Sequence, residues 1–328
     1  MALLQTFDLT VGYRQEGKES LMFEDLNIVL EAGQLVCFMG PNGIGKSTLI
    51  RTLAGLQKPL RGSVTYQTDA GKTSLPKKVS VVLTDRIGSA NLTVGDLITF
   101  GRYPYLNWSL KLSKEDKIII DQAIEQLRIR PLLQKKVFEL SDGQLQMAMI
   151  ARALVQDTHV ILLDEPTSHL DLNNRVEIMN LLRTITRETG KGVLVATHEL
   201  DLALQTADLI WLAGTNRDIL SGIPEDLVLN NTFDDVFRFK GFDLKTGKIQ
   251  HTPFRNLALH LSGKGHAYLW TKNALERNGY RVTNEWGEIN ICITEKNGKI
   301  IWEINSNDSI RYATSIQDLL KMTQSFAY

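Results

Sequence analysis

Cysteine is scarce in this chain. Its 328 residues include two, Cys37 and Cys292. That is too few for a disulfide framework and the wrong spacing for a paired-thiol site, so a reducing compartment fits. Cys37 lies in an apolar run and reads as a buried free thiol. An excess of charge is lacking too. Lys plus Arg number 37 and Asp plus Glu number 37, a formal net charge of zero. Nucleic-acid binders usually carry a basic excess, so no nucleic-acid partner is expected. No apolar run approaches the length of a bilayer span. Met1 to Phe7 contains no basic region leading into an apolar segment, so no signal peptide is expected. Work at a membrane would therefore need a partner to hold the chain there. Heptad runs are also absent, and only one Gly-rich phosphate motif occurs. A hydrophobic content of 43% still supplies a sizeable core, and the length allows two domains or a large one and a small one.

That single motif organises the chain. Gly40-Pro41-Asn42-Gly43-Ile44-Gly45-Lys46-Ser47-Thr48 fits the phosphate-loop pattern G-x-x-x-x-G-K-[ST] without a mismatch. An apolar run, Leu35 to Met39, precedes it as a buried strand. Leu49 to Ala54 follows as a helix. The glycines let successive backbone N–H groups point at phosphate oxygens, and the helix N-terminus adds partial positive charge. Lys46 places a cation on the β- and γ-phosphates, and the Ser47 hydroxyl is able to ligate Mg²⁺.

Upstream, Leu3–Leu9 and Leu26–Leu30 alternate apolar and polar residues and are expected as strands of an antiparallel sheet. Tyr13 falls in a Gly12-Tyr13-Arg14 turn between them, where its ring can stack on a purine or simply pack. Ser63–Tyr66 and Val79–Leu83 read as further strands. From about residue 86 to 155 the pattern turns helical. Thr93 or Asp96 is a candidate cap, and Ser113 with Asp116 resembles a capping box. Gly101 to Trp108 reads as an aromatic-rich loop, suited equally to core filling and to docking. Leu140-Ser141-Asp142-Gly143-Gln144 leads into a helix from Leu145 to Val155. Val160–Glu165 is a buried parallel strand ending in two carboxylates, which are costly there unless a cation or proton transfer uses them. Asp164 is suited to hold Mg²⁺ and Glu165 to orient or deprotonate an attacking water. Ser168-His169-Leu170-Asp171 turns into a helix from Asn173 to Glu188. His198 ends the strand Gly192–Thr197, at the sheet edge where ligands of open α/β sheets collect.

Together these motifs resemble the nucleotide-binding subunit of an ATP-binding cassette (ABC) transporter, over roughly the first two-thirds of the chain. The resemblance implies an α/β fold: a phosphate-loop ATPase core of mixed sheet, an antiparallel β subdomain and a helical subdomain. It implies that Tyr13 stacks on adenine and that Gly40, Pro41, Asn42, Gly43, Gly45, Lys46, Ser47 and Thr48 hold the ATP phosphates. Asp164 is then the Walker B aspartate, Glu165 the catalytic base, Asp171 the D-loop aspartate and His198 the switch histidine. Ser141 and Gly143 belong to the signature that contacts ATP on the other subunit of a head-to-tail homodimer. Two departures stand out. Asp142 occupies a position that is usually Gly. The glutamine expected ahead of Leu92-Thr93-Val94 falls on Thr84, beside Asp85, and Thr84 is taken as the residue facing the metal.

Gly101-Arg102-Tyr103-Pro104-Tyr105 is similar to importers of iron–siderophore complexes, haem and vitamin B12. That likeness implies integral-membrane permease subunits and, indirectly, a substrate-binding protein. It implies a location on the cytoplasmic face of the cell membrane, with ATP and Mg²⁺ as cofactors. Two other readings compete: a soluble cassette ATPase without a permease, and a regulator that binds nucleotide without turnover. The core is expected to span residues 1–250, leaving 251–328 as a small C-terminal α/β appendage. There Ile289, Ile291 and Ile293 alternate with polar residues, and Lys296-Asn297-Gly298-Lys299 signals a hairpin. Tyr268–Arg277 and Ser315–Thr323 read as helices.

Overall fold

The computed structural model describes residues 1–15, 17–67, 74–84, 91–249, 251–296, 298–306 and 309–325. By contact the chain divides into two units, Met1–Arg238 and Phe239–Tyr328.

The first unit opens with β1 (Ala2–Gln15), β2 (Lys18–Leu26) and β3 (Val29–Glu31). After β4 (Leu35–Met39) and α1 (Lys46–Leu53) comes β5 (Arg61–Tyr66). Strands β2, β3 and β5 all pair antiparallel with β1. The expected turn around Tyr13 is not there. Tyr13 lies within β1, opposite Ser20 of β2. Gly12 makes this pairing possible, because a Cβ there would lie 2.1 Å from the Ser20 carbonyl oxygen.

Next come β6 (Val79–Val82), α2 (Val94–Thr99), α3 (Lys114–Gln126), α4 (Asp142–Val155) and β7 (Val160–Asp164). They are followed by α5 (Leu172–Thr189), β8 (Gly192–Ala196), α6 (Leu200–Thr206), β9 (Leu209–Ala213), β10 (Ile219–Gly222), α7 (Pro224–Leu229) and α8 (Thr232–Phe237). A six-stranded sheet runs β10-β9-β4-β8-β7-β6, parallel except for β10. Strands β4, β7 and β8 are buried at every residue. Uninterrupted apolar runs are what a parallel sheet covered on both faces requires.

The caps were legible. Thr93 and Ser113 each accept from the backbone N–H of an Asp three residues on, and the Asp side chain accepts in return. The aromatic-rich segment is not a loop. Phe100–Tyr105 winds as a 3₁₀ helix. Its Arg102 is buried, with Nε 2.7 Å from Asp116 Oδ1 and the guanidinium 4.0 Å from the Tyr105 ring centre. Gly101 permits this packing, since a Cβ would sit 2.3 Å from the Arg152 carbonyl oxygen. Trp108, by contrast, is fully exposed. The segment therefore both fills and presents.

The second unit has a short hairpin, β11 (Phe242–Asp243) and β12 (Lys248–Ile249), then β13 (Ala258–Ser262), α9 (Gly265–Arg277) and β14 (Arg281–Thr283). Strands β15 (Ile289–Lys296), β16 (Lys299–Ser306) and β17 (Ser309–Ala313) and helix α10 (Ile316–Gln324) complete it. Its five-stranded sheet runs β14-β13-β15-β16-β17. Leu259, Leu261, Ile291, Trp302 and Ile304 pack with Leu275 and Leu319 of the two helices as a separate core. Asn297 of the expected hairpin turn lies outside the described residues, but the strands on either side pair antiparallel, Lys296 opposite Lys299.

Candidate nucleotide site

The loop between β4 and α1 needs its glycines. Gly40, Gly43 and Gly45 have φ of +158°, +79° and +113°, and the last two lie in a region that L side chains rarely enter. The chain thereby curls over the start of α1. Lys46 at its first position is buried, and its Nζ donates to the carbonyls of Gly40 at 2.9 Å and Pro41 at 3.3 Å. Burial pushes its pKa below the ordinary lysine value, opposed by the carboxylates of Glu165 and Asp164.

Ser47, one residue on, turns its hydroxyl to Asp164 Oδ1 at 3.1 Å. The Thr84 hydroxyl reaches the other oxygen, Oδ2, at 3.4 Å. Asp85, the rival for that position, lies outside the described residues. Asp164 is 2% exposed. Burial raises its pKa above the carboxylate range, the Ser47 hydrogen bond works against this, and the charge of Glu165 adds to it.

Glu165 leaves the strand with φ +48°, and its N–H donates to the Ala196 carbonyl at 2.8 Å. This left-handed residue re-aims the chain where β7 meets β8, an uncommon conformation that often accompanies function. His198 Nδ1 lies 3.6 Å from Glu165 Oε2. Sequence reasoning missed the other neighbours of this histidine. Its Nε2 lies 3.7 Å from Glu199, and Glu199 pairs with Arg175 of α5 at 2.7 Å. The ion pair joins residues 24 apart in sequence, so no local pattern announces it.

Tyr13 is half-exposed, and its hydroxyl lies 2.8 Å from the Thr48 hydroxyl. The pairing register of β1 thus brings Tyr13 onto the phosphate loop. Lys46, Ser47, Thr48, Thr84, Asp164, Glu165, His198 and Tyr13 form one cluster.

Ser141, Gly143 and Asp171 form another. Ser141 caps α4 and accepts from the Gln144 N–H, while Asp171 caps α5 and holds Asn174 by both its oxygens. A Cβ on Gly143 would lie 3.0 Å from the Asn174 side chain, so the two caps pack together. The unusual Asp142 occupies the first turn of α4, where a carboxylate suits the helix dipole.

The ABC transporter family model matches residues 23–168, and the iron ABC transporter C-terminal domain model matches residues 257–322. An uncharacterized ABC transporter ATP-binding protein of Methanocaldococcus jannaschii is 35% identical over 262 residues, 76% of this chain and 89% of that protein. The probable siderophore transport system ATP-binding protein YusV of Bacillus subtilis is 33% identical over 241 residues, 72% of this chain and 86% of its own. Among solved structures, a dimeric post-hydrolysis state of the ATP-binding cassette MJ0796 bound to ADP and Pi superposes with a TM-score of 0.56. It is 25% identical and covers 68% of this chain and 99% of that one. The cassette cbiO1 of Clostridium perfringens, part of the transporter complex cbiONQ, gives a TM-score of 0.59 at 27% identity, with 72% and 93% covered.

Proposed function

The chain belongs to the ABC transporter family as an ATP-hydrolysing cassette, and from that premise we propose that it energises uptake of an iron–siderophore, haem or cobalamin-type compound. The observation that carries the substrate class is the iron ABC transporter C-terminal domain over residues 257–322. A relative named for siderophore transport supports it.

In this reading ATP lies along the phosphate loop, with its adenine on Tyr13 and its phosphates on the N–H groups of residues 40–48. The Lys46 ammonium, now on the Gly40 and Pro41 carbonyls, is a short swing from phosphate oxygens. The donor set at Asp164 fits Mg²⁺: a buried carboxylate flanked by the Ser47 and Thr84 hydroxyls, all hard oxygens. Bound there, the ion would neutralise charge developing on the phosphates. Glu165 accepts the proton of the attacking water, and His198 beside it contacts the γ-phosphate. Ser141 and Gly143 serve the ATP of a second copy across a head-to-tail dimer.

No helix among the described residues is long and apolar enough to cross a membrane. In this reading the partners are integral-membrane permease subunits on whose cytoplasmic face the dimer docks, with a substrate-binding protein acting at a distance. The exposed Tyr103, Trp108 and Leu110 supply apolar surface for that docking.

Two experiments test this reading. Host cells lacking the protein should lose uptake of iron-loaded siderophore, haem or cobalamin, and the wild-type gene should restore it while Glu165→Gln does not. Unchanged uptake of all three compounds would overturn the assignment. In purified protein, Glu165→Gln should still bind ATP while turnover falls at least ~100-fold, and Lys46→Ala should lose nucleotide binding. Wild-type turnover in the first, or wild-type affinity in the second, counts against the site.

A further inference from the structure

Against Glu165 lies a cavity of about 80 Å³, room for two or three waters at roughly 30 Å³ each. Glu165, Thr84 and Ser168 contribute to its lining, and Gln146 and Met149 face it from α4. Gln146 is the unexplained member. Its Nε2 is buried and has no hydrogen-bond partner among the described residues. A buried amide donor left unmade is costly, so its presence beside the reacting centre needs a reason.

Chemistry supplies one. The Glu165 carboxylate accepts hydrogen bonds and donates none, while the Gln146 amide nitrogen donates and accepts none. A water between them would accept from Gln146 and donate to Glu165, and the polar residues Thr84, Asp142 and Ser168 also line the cavity. The loop that should carry a glutamine carries Thr84, whose hydroxyl is directed at Asp164. The glutamine amide missing from the loop is thus present on the helix opposite.

We propose that Gln146 is a positioning residue for the hydrolytic base: through water in this cavity its amide holds the Glu165 carboxylate toward the attacking water. It touches neither nucleotide nor reacting atoms and acts only through Glu165. The inference rests on Glu165 being the base, a reading that Glu165→Gln tests by itself.

The experiment is a double-mutant cycle in the full chain. Gln146→Met keeps length and helix propensity but removes the donor. It should lower kcat about tenfold while ATP affinity stays within about twofold and the melting temperature is preserved. In the Glu165→Gln background, the same substitution should cost less than about twofold in single-turnover hydrolysis, because no carboxylate remains to be held. Gln146→Glu, which also removes the donor and adds a further carboxylate to the Asp142 and Glu165 already lining the cavity, should lose more than Gln146→Met. A merely structural role would lower the rate equally in both backgrounds. Wild-type kcat in Gln146→Met, or an equal loss in both backgrounds, overturns the proposal. If Glu165→Gln is inactive while Gln146→Met turns over like wild type, this inference fails and the base assignment stands.

Discussion

Asp164 is an ionisable group held where ionisation is unfavourable. Burial raises its carboxyl above the ordinary range, so its protonated form is favoured more in the folded chain than in the unfolded one. The stability tied to that proton is fully present below the unfolded carboxylate range, about pH 4. It is lost as pH rises through the raised value. Above that raised value the folded protein carries an ionised Asp164 at a cost. Asp164→Asn keeps the shape and removes the charge, and nucleotide-free protein should melt about 2–4 °C higher at pH 7.5. The gain should vanish as the pH is lowered toward 4. Mg²⁺ with ATP should stabilise the wild type and not the variant. Calorimetric scans across pH measure this, and a lower melting temperature for Asp164→Asn at neutral pH contradicts it. Thr84 is the neighbouring case. Its hydroxyl lies 3.4 Å from Asp164, so Thr84→Val, nearly the same shape, should slow ATP turnover about tenfold, roughly 1.4 kcal/mol of barrier. Thr84→Gln should be tolerated. Steady-state assays over a Mg²⁺ titration decide it, and wild-type rates in Thr84→Val would remove Thr84 from the site.

Between elements, a buried ion pair, Arg102–Asp116, joins parts of the helical region. Asp116 accepts from Arg102 with one oxygen, and with the other it accepts from the N–H and hydroxyl of Ser113 at the start of α3. Arg102 in turn donates to the carbonyl of Val155 at the end of α4. One pair thus ties α3, the 3₁₀ helix and α4 together. Asp116→Ala removes the reciprocal half of the α3 capping box and leaves a guanidinium buried without its carboxylate, a change that costs about 3–5 kcal/mol. Urea unfolding should register it. A loss under about 1 kcal/mol would mean that water or Tyr105 compensates. Replacing both members by apolar residues of similar volume should recover most of the stability, because the attraction of a buried pair largely offsets its desolvation.

At the scale of the whole molecule, each of the two units carries an apolar cluster of its own. One lies under β1, β4 and α1 and includes Leu4, Phe23, Phe38, Leu49 and Trp211; the other packs β13, β15 and β16 against α9 and α10. We expect a chain ending at Pro253 to fold and bind ATP, since every residue assigned to nucleotide precedes it. Circular dichroism and ATP titration check this. Aggregation, or loss of binding, would make the C-terminal residues part of the ATPase fold, and a changed hydrolysis rate alone would mark them as regulatory.

By itself the sequence determined the phosphate loop, the buried strands that frame it and the helix caps. Each of these is a local pattern: glycines where the backbone must turn, unbroken apolar runs where both sheet faces are covered, and a Ser or Thr three residues ahead of a carboxylate. The paired acids Asp164 and Glu165 were legible for the same reason, as charge at the end of an apolar strand. Only the tertiary structure decided what depends on register and on residues far apart in sequence. Tyr13 meets Thr48 because a strand continues where a turn was expected, and Gly12 alone lets β2 approach that closely. Arg102 looks like surface charge until Asp116 is brought to it. His198 meets Glu165 because β7 and β8 end side by side. Gln146 faces Glu165 across a cavity walled by a helix and a strand end, and no spacing within either segment encodes that meeting.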